Sequence, residues 1–151
     1  MTKKEALAFL ALNQPMPNDY DITQDLINKY NNVRLYFSAN PAEEAIPLFL
    51  QSFGEGDGFG VYQLVEDFLY KCDKNIIASN IANILENPLT IKSVRCWCTL
   101  LAMAFADNTL IKGLNICLQS DDEDTRDMAM LSLKMITEEY KKIEFQKFTL
   151  A

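Results

Sequence analysis

The sequence predicts an all-α protein of about eight helices, arranged as repeated antiparallel helix pairs. Three observations carry that prediction. Apolar residues recur at helical spacing almost throughout, and no segment sustains strand alternation. Proline, asparagine and glycine punctuate the pattern at intervals that suit helix ends. The helix-turn-helix unit also recurs at a spacing of a little over 30 residues, the period of stacked helical repeats.

The elements follow in order. A first helix covers about Lys3 to Leu12 and stops at Asn13 and Pro15, and Gln14 to Asp19 reads as a turn-rich connection. Thr23 opens a second helix through Leu26, Ile27, Tyr30, Val33, Leu35 and Tyr36, ending at Asn40-Pro41. Pro41 suits the start of a third helix, where Glu43 and Glu44 complement the helix dipole. That helix carries Ile46-Pro47-Leu48-Phe49-Leu50 and ends before Gly54. Val61 to Cys72 forms the fourth. Asp73 or Asn75 caps a fifth, ended by Asn87-Pro88, and Thr90 or Ile91 begins an apolar sixth reaching Phe105. Asn108 caps a seventh, Leu110 to Leu118. Asp121 or Asp122 opens a last helix running to about Tyr140, and the tail from Lys141 has a mixed pattern.

The expected organisation is a single domain over residues 1–151. Residues 1–40 form an N-terminal helical cap, 41–140 about three helix pairs, and 141–151 a tail. The pairs align on their turns: Leu50-Gln51-Ser52-Phe53 leads to Val61-Tyr62-Gln63-Leu64, Leu85-Glu86-Asn87-Pro88 to Val94-Arg95-Cys96-Trp97, and Leu118-Gln119-Ser120-Asp121 to Thr125-Arg126-Asp127-Met128. Arg95 and Arg126 share a register position. Stacking such pairs buries a continuous core.

Composition narrows the function. Of 151 residues, 49% are apolar, a proportion that excludes disorder, yet no apolar run approaches the roughly 20 residues of a membrane span. Glu5, Asn13 and Gln14 interrupt the N-terminal apolar stretch, against a signal peptide. Cys72, Cys96, Cys98 and Cys117 sit in apolar helical stretches, and Cys96 and Cys98 fall on nearly opposite helix faces. Buried free thiols in a reducing cytosol are the expectation. Net charge is −7, and six acids with no lysine or arginine lie between Pro41 and Tyr70. Such a surface disfavours nucleic acid and attracts a basic protein.

Candidate sites come from four places. Gly54-Glu55-Gly56-Asp57-Gly58-Phe59-Gly60 lacks the P-loop lysine, the strand that precedes a dinucleotide fingerprint, and the ligand count of an EF-hand. It remains either a flexible connector or a shaped contact loop presenting Glu55, Asp57 and Phe59. Asp121, Asp122, Glu123 and Asp124 suit a helix N-terminus, with partner contact or pairing to Arg126 or Arg95 as further uses. Glu66 and Asp67 are adjacent, diverge by about 100° on a helix, and so cannot form a general acid/base pair; Glu66 is kept as a contact residue. Trp97 reads as core. Tyr62, beside the loop and in the Arg95 register, reads as an exposed aromatic anchor. With no histidine in the chain, Ser–His–Asp and Cys–His chemistry and most zinc sites are excluded. No enzyme, cofactor or metal is expected.

The turns also carry a resemblance. Ala45-Ile46-Pro47-Leu48-Phe49-Leu50 resembles the first helix of a HEAT repeat, including the proline that bends it. Asp121-Asp122-Glu123-Asp124-Thr125-Arg126, with Met128-Ala129 and Leu131, resembles the HEAT turn and second helix, and Val94-Arg95 is a weaker match. The likeness covers roughly Pro41 to Ile136 and implies a right-handed α-solenoid. The small acidic build is similar to HEAT-like immunity proteins of contact-dependent growth inhibition and other polymorphic toxin systems. That resemblance implies a cytoplasmic inhibitor occluding a basic toxin domain, such as a nuclease, with no small-molecule substrate, direct nucleic acid contact or membrane. An adaptor subunit in a larger assembly is the alternative. A DNA-glycosylase of HEAT-like build would need a basic groove.

Overall fold

The structure, a computed structural model, describes the backbone of residues 1–150 and the side chains of residues 1–139, 142 and 146. Among the described residues there are eight α-helices and no strand. They are α1 Lys3–Leu12, α2 Gln24–Ala39, α3 Ala45–Leu50, α4 Val61–Leu69, α5 Lys74–Glu86, α6 Lys92–Ala104, α7 Ile111–Cys117 and α8 Glu123–Leu150. A short 3₁₀ turn, Asn108–Leu110, precedes α7. No helix among them is long and apolar enough to cross a membrane. The chain divides into two compact units, residues 1–80 and 81–151, with the boundary inside α5.

Local chemistry explains most boundaries. The Thr2 hydroxyl accepts from the Glu5 amide at 3.1 Å while the Glu5 carboxylate accepts from the Thr2 amide at 2.8 Å, a reciprocal cap for α1. Thr23 caps α2 by accepting from the Leu26 amide at 3.1 Å. Helix α3 starts at Ala45 rather than near Pro41, because residues 42–46 close turns of the i→i+3 kind before it. Pro47 therefore lies in the first turn of α3, where its missing N–H costs nothing, and it does not bend a continuing helix. Asp107, not Asn108, caps the turn before α7, its carboxylate accepting from the Thr109 amide at 2.8 Å. Helix α8 continues past Tyr140 to Leu150 because no glycine or proline follows Asp121 to stop it. Ala151, the end of the expected tail, lies outside the described residues.

The first unit has an aromatic core. Tyr30, Phe37, Phe49, Phe53, Tyr62 and Phe68 are all fully buried. Tyr30 meets Tyr62 edge-on at 5.4 Å between ring centroids, Phe49 meets Phe68 at 5.1 Å, and Phe53 meets Tyr62 at 5.6 Å. Such tilted and edge-to-face pairs align ring edges with facing π clouds. The Tyr30 hydroxyl keeps a polar partner inside this core, the Ser52 hydroxyl at 2.7 Å, which itself donates to the Phe49 carbonyl at 2.6 Å. Helix α1 packs on α2 and α3, and α2 packs on α4.

The second unit is aliphatic and thiol-lined. Val94, Cys98, Leu101, Ala102, Leu110, Leu114, Cys117, Ala129 and Ile136 are buried where α6 and α7 pack on α8. The four cysteines are free; Cys98 and Cys117 are buried, and Cys72 and Cys96 half-buried. Trp97 is also half-buried rather than fully core. The buried Ser132 hydroxyl donates to the Thr99 carbonyl at 2.6 Å, joining α8 to α6. Gly113 on α7 sits so close to Leu85 that a Cβ there would overlap the leucine side chain.

One register position acts alike in both helix pairs of this unit. Arg95, on the first turn of α6, donates to the Leu85 carbonyl at 2.8 Å and to the Asn87 carbonyl at 2.5 Å, closing the free end of α5. Arg126, on α8, donates to the Ser120 carbonyl at 2.7 Å just beyond α7. Arg95 also donates to the Cys117 sulfur at 3.7 Å. These guanidinium bonds go to carbonyls and a thiol and not to the expected aspartates. The ion pair at this turn is instead Lys92 with Asp122 at 3.4 Å.

Candidate functional site

The glycine-rich loop of the first unit is tied to the connection between α1 and α2. Two hydrogen bonds run between the backbones: the Met16 amide donates to the Ser52 carbonyl at 2.8 Å, and the Asp19 amide to the Glu55 carbonyl at 3.1 Å. Met16 anchors this segment by burying its side chain fully. The approach is close enough that a Cβ on Gly54 would collide with the Met16 carbonyl oxygen.

The Asp19 side chain completes the junction. Its carboxylate accepts from the Asp57 amide and from the Gly58 amide, each at 3.0 Å. Gly56 wraps around this carboxylate at φ +98°, where a Cβ would overlap the carboxyl group itself. The loop then closes on α4, with the Gly60 amide donating to the Asp57 carbonyl and the Val61 amide to the Gly58 carbonyl, both at 3.1 Å. The loop is thus tied to the α1–α2 connection and to the start of α4 by hydrogen bonds along its length.

This anchoring displays Phe59. Its φ is +53°, the one positive value at a non-glycine residue among those described, and the residue is 55% exposed. Holding a phenylalanine in the left-handed region costs about 1–2 kcal/mol. On the other side of the junction Tyr20, next to Asp19, is 99% exposed, in a turn set by Asn18, whose side-chain oxygen accepts from the Tyr20 and Asp21 amides at 3.0 Å. Glu55 and Asp57 in the loop and Asp21 beside Tyr20 are exposed as well. Two tied segments, 18–21 and 55–60, thus each expose one aromatic and at least one acidic side chain.

Tyr62 is not part of that display, and the expectation of an exposed anchor is corrected. The residue is 1% exposed. It starts the apolar stripe Tyr62, Val65, Phe68 and Leu69 of α4, whose helical spacing turns it inward onto Tyr30 and Phe53. Burial pushes its phenol up to about 12, against the opposing effect of the Gly54 backbone amide beside it. It supports the loop from beneath.

Glu66 is half-buried on α4, and burial, with a smaller contribution from Asp67, raises its carboxyl above the ordinary value. Asp67 faces the buried Arg34 of α2 at 3.6 Å, and Arg34 also donates to the Asn31 side chain at 2.9 Å. The two adjacent acids diverge as their spacing requires.

The acidic block belongs to the second unit. Asp122 caps α8, accepting from the Thr125 hydroxyl at 2.7 Å and the Thr125 amide at 3.0 Å. These bonds, the hydroxyl one first, hold its carboxyl below the usual range, with Lys92 adding to the effect. Asp121, Glu123 and Asp124 are exposed. Among the described residues, no group of three or more cysteine and acidic side chains is arranged to hold a metal ion.

Asp19 and Tyr20 are not announced by the sequence. Their signal was weak: Asn18-Asp19-Tyr20-Asp21 reads as a polar turn, and nothing local announces that one of its carboxylates meets amides 38 and 39 residues away. No protein-family profile, curated protein or solved structure matches this chain.

Proposed function

We propose that this chain is an immunity-type inhibitor, a HEAT-like helical-repeat protein that binds a basic toxin domain, such as a nuclease, and blocks its active site one to one in the cytoplasm. The observation that carries the reading is the anchored loop, in which Phe59 is held in an unfavourable backbone region and exposed a few residues from the exposed acids Glu55 and Asp57. Strain kept in an exposed aromatic residue marks a surface under functional demand. An aromatic anchor in a loop that also exposes carboxylates complements a cationic site built to bind phosphate.

Helix packing supports the repeat part of the proposal. In the first unit α1 meets α3 and α2 meets α4; in the second α6 meets α8, while Leu85 on α5 touches Gly113 on α7. First helices on first and second on second is the pattern of stacked pairs. On this reading α1 and α2 act as a further pair rather than a separate cap. The exposed Asp121, Glu123 and Asp124 add long-range attraction, and Glu66 contributes at the loop's edge.

The adaptor alternative is favoured by one feature, the exposed Met130, Leu131 and Met135 on α8, which a larger assembly would cover. Co-expression separates the two readings. The chain should rescue cells from a toxin domain encoded beside it, and Glu55→Ala with Asp57→Ala should abolish the rescue. Rescue that survives the double substitution removes the loop from the interface.

A further inference from the structure

We infer that the backbone of residues 55–58 is a carboxylate-binding site, filled in the resting chain by its own Asp19, and that this internal ligand fixes the shape of the loop. The inference stands apart from the proposed partner, since it concerns only contacts within the first unit.

Three observations converge on it. Consecutive amides, Asp57 and Gly58, point at the two oxygens of one carboxylate at equal distances of 3.0 Å, a two-point grip on an anion. Gly56, at φ +98°, leaves no room for a Cβ because the carboxyl group occupies that space. The Asp19 amide donates back to the Glu55 carbonyl at 3.1 Å, so the segment carrying the anion is itself held in register. The charges nearby make an acid here unexpected: Asp21, Glu55 and Asp57 flank the site, and backbone amides supply the favourable dipoles. Tethering supplies the ligand at an effective concentration of about millimolar or more, which explains how a site of two amides stays filled in an acidic neighbourhood. Asp19 is therefore a positioning residue: it places Gly58, and through it the backbone of Phe59.

Chemical rescue tests this with the full chain and no partner. Asp19→Ala keeps the β-carbon and removes only the carboxyl group, leaving a space of formate size. Amide hydrogen exchange read residue by residue should speed up about tenfold or more at Asp57 and Gly58, while amides of α6 and α8 stay unchanged. Formate should slow the two amides again in the variant, whereas sodium chloride at equal ionic strength should not, and wild type should respond to neither. If Asp19→Ala unfolds the first unit, Asp19→Asn is read in its place; it keeps the volume and offers one acceptor, so one of the two amides should lose protection. Unchanged exchange at both amides overturns the inference, and so does chloride matching formate. A toxin that fails to bind would leave these exchange results untouched, so the two proposals fail separately.

Discussion

Replacing Arg95 and Arg126 by methionine should destabilise the second unit unequally, and the structure sets the margin. Methionine keeps an apolar stem of similar length and removes the guanidinium, so the difference isolates hydrogen bonding. Arg95 makes two bonds to carbonyls at the end of α5, at 2.8 and 2.5 Å, whereas Arg126 makes one at 2.7 Å to Ser120. A hydrogen bond to a charged group contributes about 1.5–3 kcal/mol, with the lower value for partners open to water. The Leu85 and Ser120 bonds are both part-buried and the Asn87 bond is exposed, so Arg95→Met should cost about 1.5 kcal/mol more than Arg126→Met, the lower value for the additional Asn87 bond. Arg95→Lys should fall between wild type and Arg95→Met, because an ammonium cannot reproduce the planar fork that spans both carbonyls. Both residues lie in one compact unit, so urea unfolding followed by circular dichroism reports on the same transition for each. Equal costs, or a larger cost for Arg126→Met, would refute the assignment of these arginines as clamps on the preceding helix end.

Tyr62→Ala should destabilise the first unit by about 3–5 kcal/mol in urea, as expected for a fully buried aromatic, so its effect on partner binding should track unfolding. Phe59→Ala should change stability by less than about 1 kcal/mol yet weaken partner affinity at least about tenfold by calorimetry; unaltered affinity would dismiss the ring as an anchor. Gly56→Ala forces an unfavourable φ and displaces Asp19, so it should lower the unfolding free energy measured in urea by more than the ~1 kcal/mol that glycine-to-alanine changes gain at permissive sites. Asp122 has a native carboxyl value depressed below its unfolded one, so its stabilisation is complete above about pH 4 and disappears as pH falls through the depressed value. Asp122→Asn should therefore flatten the acid limb of stability against pH below about pH 4, and an unchanged limb would exclude the Thr125 cap as the cause.

What the sequence determined by itself was local. Helical spacing fixed the all-α class, and short-range chemistry set many ends: the Thr23 cap, the Asp73 cap that accepts from Asn75 at 2.8 Å, the stop at Asn87-Pro88. Recurrence at Arg95 and Arg126 was visible as a register because it needs only counting. Its meaning was not, since an arginine beside an acidic run fits an aspartate as well as a carbonyl, and only the folded turn decides which is in reach. Tyr62 shows the same division. Its spacing to Val65 and Phe68 places it on the buried stripe, whereas its position next to the loop and in the register shared with Arg95 and Arg126 points outward, and packing against Tyr30 and Phe53 chose the inward solution. The candidate site divides likewise. Glu55, Asp57 and Phe59 were legible because alternating glycines are rare in a helical chain. That the loop is held, by which carboxylate, and with Tyr20 displayed beside the junction depends on contacts 38 and 39 residues apart, which no local periodicity encodes. Tertiary structure decided those pairings because a carboxylate finds its amides only after the α1–α2 connection has docked.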